Sequence, residues 1–184
     1  MRASLLCALV ALAPLAASAA EPLGRHRPSL ESIEVLQKSS VPPLATGEFT
    51  VASGAAIDDT NGVSFRMHKR VPARGESLAS YARAAFVTEL RAAGKHDPAA
   101  KAVITGMLVE SRLDEGSAAL AVRIQVSRSG QPVYDKVLRV ESNWDSALLG
   151  EVAIPDAFNH YTELYGKLIL QLFQDQAFIV ATAR

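Results

Sequence analysis

Few residues of this chain have the type and spacing that chemistry demands. Its four histidines, His26, His68, His96 and His160, stand far apart. None forms an H-x-x-x-H pair and HExxH does not occur, so no helix face or loop offers paired imidazoles to a metal ion. The stretch Asp58-Asp59-Thr60-Asn61-Gly62 is superficially a calcium loop. Setting Gly62 as its turn glycine puts Ile57 at the first ligand position and His68 at the last, where a carboxylate must chelate, so the stretch reads as an Asx-rich turn. G-x-S-x-G is missing, as are G-x-x-x-x-G-K-[ST] and G-x-G-x-x-G; neither a nucleophile elbow nor a nucleotide cradle is encoded. The chain is therefore expected to be no enzyme, with no catalytic residue, no cofactor and no metal. A hydrolase assembled from distant Ser, His and Asp residues is the least favoured reading.

One segment points to recognition instead. Asn143-Trp144-Asp145 carries the only tryptophan at the place where a strand pattern stops, and Leu148, Leu149, Val152 and Ile154 follow. An aromatic in such a stretch makes a contact surface for a partner, and these three residues are the candidate partner-binding site. The competing role, which weighs more, is that Trp144 folds over the end of the core and anchors the crossover to the last helix.

The first twenty residues set the compartment. MRASLLCALVALAPLAASAA has a basic start at Arg2, an apolar run from Leu5 to Leu15 and small residues to Ala20, the pattern of a secretory signal peptide cleaved after Ala19 or Ala20. A spanning helix needs about 20 apolar residues, and here Pro14 interrupts a shorter run. The expected location is periplasmic or secreted. A lipid anchor at Cys7 is not expected, because Leu5 and Leu6 precede it where a small residue is required. Cleavage removes Cys7, the only cysteine, together with Arg2, so the mature chain has no thiol chemistry, no disulfide and one more acidic than basic residue. With no basic stripe, binding to nucleic acid is not expected, and no transmembrane span is expected in the mature chain.

The elements follow from periodicity. Residues 21–31, with two prolines and two arginines around His26, read as a flexible linker. Ser32–Leu36 alternates like a strand, Phe49 to Ala55 continues extended, and Val63, Phe65 and Met67 alternate after the Asn61-Gly62 turn. Ser77 to Ala93 is a capped amphipathic helix closed by Gly94. Val103–Val109, Ala118–Val126 and Val133–Val140 form a three-strand meander, and a last helix runs from about Pro155 to Asp175. The expected fold class is α+β: a single mainly antiparallel sheet of about four to five strands with two helices packed on one face, in the order β-β-α-β-β-β-α. The domain division is 1–20 signal peptide, 21–31 linker and 32–184 a single domain.

The stretches SLASYARAAFVTELRAAGKHD, VITGMLVESRLD, VYDKVLRVESNW and AIPDAFNHYTELYGKLILQLFQD, within Ser77 to Phe178, resemble small envelope proteins of Gram-negative bacteria of unknown function, many of them lipoproteins. More loosely the layout is similar to periplasmic accessory subunits of outer-membrane assembly or lipid transport. The resemblance implies a noncatalytic interaction protein whose partner is an envelope protein. The alternative is a periplasmic carrier that holds a lipid or other small apolar ligand between sheet and helices. The chain departs from the lipoprotein pattern by lacking a lipobox.

Overall fold

The computed structural model describes residues 21–72 and 76–183. The expected signal peptide, 1–20, and Cys7 lie outside the described residues.

The sheet that carries the core has the order β2-β5-β6-β7, with β2 at Ala45–Ile57, β5 at Ala102–Asp114, β6 at Ser117–Arg128 and β7 at Gln131–Asn143. The last three strands form the expected antiparallel meander. Their turns use Gly116 (φ +71) and Gly130 (φ +81), left-handed positions that glycine takes without strain. β2 instead runs parallel to β5, because a helix of the chain crosses over between them. That helix is α2, Leu78–Ala92, whose N-cap Ser77 accepts from the Ser80 amide at 3.2 Å.

The single mainly antiparallel sheet with two helices is overturned. Among the described residues there are four helices and two sheets of three and four strands, with mixed parallel and antiparallel pairing. The first expected strand is helix α1, Leu30–Lys38. Five residues of alternation carry too little information to outweigh the local signals around them. Ser29 caps the helix, Lys38 pairs with Glu34 one turn away at 3.1 Å, and Ser32 and Leu36, four apart, are the buried side. The strand after Asn61-Gly62 leaves the main sheet. It splits into β3, Val63–Phe65, and β4, His68–Val71, which form a small sheet with β1, Glu21–Pro22, in the order β1-β4-β3.

Residues 21–31, expected as a linker, make specific contacts with the domain. Leu23 is buried, its amide donates to the Val71 carbonyl at 2.7 Å, and His26 reaches the buried carboxyl of Glu89 at 2.8 Å. Helix α3 begins earlier than expected, covering Gly150–Gln174 with Pro155 inside it. A fourth helix, α4 at Gln176–Ala183, returns Phe178 to the core against Tyr134 and Phe173.

Helices α2 and α3 lie on one face of the main sheet. Tyr161, Tyr165, Phe158 and Phe173 of α3 and Phe86 of α2 fill the space between the layers. Phe49 of β2 lies across Gly106 of β5, where a Cβ would meet its ring at 2.3 Å, and packs against Phe86 in a tilted arrangement with centroids 5.2 Å apart. Three hydroxyls between the layers are bonded to one another: Ser111 Oγ to Tyr161 Oη at 2.8 Å, and Tyr161 Oη to Tyr165 Oη at 3.0 Å. Burial raises the pKa of both tyrosines, so this chain of hydroxyls stays neutral.

Candidate functional site

The Asn143-Trp144-Asp145 segment leaves the end of β7 at the corner where β5 turns into β6. The Trp144 amide donates to the Gly116 carbonyl at 2.9 Å, and a Cβ on Gly116 would lie 2.7 Å from the Trp144 carbonyl oxygen, so this corner needs glycine for close approach as well as for its φ. The indole is half-buried and stacks on the His160 ring, with centroids 4.4 Å apart and planes at 8°. Trp144 thereby joins the end of β7 to α3. Asn143 and Asp145 on either side are exposed.

His160 brings together a constellation resembling a catalytic set. Its Nδ1 lies 3.1 Å from Ser142 Oγ and its Nε2 lies 3.7 Å from Asp156 Oδ1, one turn earlier on α3. The second distance is too long for the hydrogen bond that would orient a general base. Ser142 is buried, the indole covers one face of the imidazole, and none of the three main clefts is lined by Ser142, His160 or Trp144. The serine hydroxyl holds His160 beneath the indole, a packing arrangement.

The turn from β3 to β4 sits beside this corner. Its two loop residues, Arg66 (φ 45) and Met67 (φ 63), are both left-handed, in a two-residue hairpin where Asn-Gly is the usual choice. Arg66 holds the arrangement together. Its guanidinium grips Glu115 through Nε at 2.9 Å and through Nη2, and donates to the carbonyls of Ala147 at 3.0 Å and Leu148 at 3.3 Å. These bonds hold the Glu115 carboxyl below the usual range and push Arg66 up, so the clamp is charged at any physiological pH. Leu149 caps α3 with no side-chain hydrogen bond.

The apolar side chains around the clamp face water. Met67 is 103% exposed, Leu148 96% and Leu149 73%, with Val152 of the first turn of α3 also exposed. Single exposed apolar residues are ordinary; several gathered at one turn and one helix start are not. Leu148, Leu149 and Val152 lie within the segment singled out by sequence. Met67 was missed, since strand alternation places it on a buried face and only the tight turn turns it outward.

The remaining sequence-level candidates resolve into structural roles. The Asp58-Asp59 stretch is an Asx turn, the Asn61 amide donating to Asp59 Oδ1 at 2.8 Å, and Lys69 pairs with Asp59. His68 is exposed on β4. His96 pairs with Leu44 as a β-bridge, and its pKa is lowered by burial and by Arg91 and Arg83. Among the described residues no group of three His, Cys, Asp or Glu is disposed to hold a metal, and no helix is long and apolar enough to cross a membrane.

No protein-family model and no curated protein matches this chain. Among solved structures it is similar to a Xanthomonas campestris protein of the DUF330 family, at 12% identity and a TM-score of 0.47, over 83% of this chain and 93% of that one. It is also similar to a protein of Caulobacter crescentus proposed to be a lipoprotein, at 15% identity and a TM-score of 0.45, over 79% of this chain and 92% of that one.

Proposed function

We propose that the chain is a noncatalytic module of the Gram-negative envelope that docks a protein partner through the apolar end formed by Met67, Leu148, Leu149 and Val152. The observation that carries the reading is the exposure of these four side chains, Met67 on a turn held in a costly backbone conformation and the other three at the start of α3. Two adjacent non-glycine residues at positive φ cost about 1–3 kcal/mol each, and such strain concentrates where binding uses it. Nearby Asp145 and Glu151 are exposed carboxylates, so the fitting surface is an apolar patch with a basic rim.

Docking through a sheet edge has less support. β7 carries Pro132 near its start and points Lys136 inward to Asp175, while β2 is bent by two register shifts and by Gly54 at φ +73. These are devices that keep an edge from pairing. The carrier reading loses its motivation as well, because aromatic rings fill the sheet-to-helix space in which the ligand would sit.

The test is a photocrosslinking amino acid placed at Leu148 in living cells. One discrete adduct is expected, lost when Leu149 is changed to Asp or Met67 to Gly while the purified variants keep the wild-type circular dichroism. An adduct indifferent to both changes, or none, removes this end from consideration.

A further inference from the structure

A groove of about 890 Å3 lies elsewhere and shares no residue with the apolar end. One wall is the segment from Gly24 to Ser29 together with Glu31; the other is a side of α3 that includes Asn159, Glu163 and Lys167. The first wall is built rather than draped. The Glu89 carboxyl of α2, wholly buried, receives His26 Nε2 at 2.8 Å and the Ser29 amide at 3.1 Å, and Tyr81 Oη donates to the Gly24 carbonyl at 2.6 Å. A carboxyl group in the interior is costly unless bonded in this way, and here its bonds go to the strap. They pin the residues on both sides of Arg25 and Arg27.

Those two arginines are exposed at the groove, and no carboxylate among the described residues lies within ion-pair distance of Arg25, Arg27 or Lys167. Outside the groove Arg66, Arg70, Arg112, Arg123 and Arg139 are each paired with an acid, and Arg83 and Arg128 donate to backbone carbonyls instead. Two guanidinium forks with no acid partner line this cleft, and a guanidinium takes a phosphate in a bidentate manner; the Lys167 ammonium, which donates to Ser142 Oγ at 3.4 Å, lines it too. Glu31 and Glu163 line the same groove. They repel a polyanion and suit a cation carried next to the phosphate.

From this we infer that the groove binds a phosphate ester bearing a neighbouring amine, the phosphate on Arg25, Arg27 and Lys167 and the amine on Glu31 and Glu163. The chemistry is shared by a soluble phosphoethanolamine and by the same group at the head of a phospholipid.

Calorimetric titration of the purified protein with O-phosphoethanolamine and with inorganic phosphate tests the assignment. O-Phosphoethanolamine should bind more tightly than inorganic phosphate. Arg25→Gln/Arg27→Gln should weaken it by about tenfold or more, since each charged hydrogen bond lost is worth a factor of that order. Glu163→Gln should abolish the preference for the amine, and Arg91→Gln, an exposed arginine outside the groove, should change nothing. Flotation with phosphatidylcholine vesicles, with and without phosphatidylethanolamine, separates the sources. Flotation that requires phosphatidylethanolamine and both groove arginines assigns the lipid, whereas soluble binding without flotation assigns the free ester. The inference is overturned if neither probe nor vesicle binds, if inorganic phosphate binds as tightly as the amine ester, or if the double variant behaves like Arg91→Gln. Should the double variant misfold, Lys167→Gln carries the same comparison.

Discussion

Gly106 shows how one missing side chain positions two layers. It pairs with Phe49 across β2 and β5, and the ring occupies the volume that a Cβ would need. Phe49 cannot give way cheaply, because it is buried against Phe86 of the crossover helix. Gly106→Ala should therefore destabilise the protein by about 1–3 kcal/mol, the usual cost of overpacking, although alanine is otherwise the better strand residue. A denaturant midpoint unchanged by the substitution would mean the ring has room to move. In the sequence Gly106 was visible only as an interruption in an apolar run. The ring that explains it lies fifty-seven positions earlier in the chain, beyond the reach of periodicity.

At the scale of elements, the junction of α3 and α4 is held by Asp175. Burial alone would raise its pKa, but bonds from Lys136 Nζ at 2.8 Å, Tyr134 Oη at 2.9 Å and the Ala177 amide outweigh burial and lower it below the ordinary 3.8. A carboxylate whose pKa falls on folding contributes stability that is complete above its unfolded value and is lost as pH drops through its folded value. The wild type should therefore lose α4 packing below about pH 4. Asp175→Asn should be less stable than wild type at pH 7 and should show a smaller further loss between pH 4 and pH 2, read by thermal melts across that range. Equal acid slopes in the two proteins would put the bond elsewhere. Helix α4 itself was hidden in sequence because its apolar residues, Phe178, Ile179 and Val180, run consecutively instead of marking one face. α1 was hidden by the opposite accident, two apolar residues that happened to alternate. The meander and α2 were legible because nine alternating positions in β6, and the Ser77 and Gly94 caps of α2, are long or local signals that packing cannot reverse.

The described residues are joined through one apolar cluster. It runs from Leu23 on the N-terminal strap through Val63 and Phe65 of the small sheet to Phe178 of α4, with Trp144 packed against it. Part of the candidate site was legible for the same reason that it is firmly placed: the tryptophan anchors to the core, whereas the exposure of Met67 and Leu148 arises from a turn and an uncapped helix start. If strap, sheets and helices share this core, they must unfold together, as small single domains do. Trp144, the only tryptophan, reports on the corner beside His160, while far-UV circular dichroism reports on the helices. Their urea transitions should have the same midpoint and the same slope. A tryptophan transition that precedes the loss of helix would detach this corner from the core, and docking would then have to work through a segment that orders on contact instead of one that is already set.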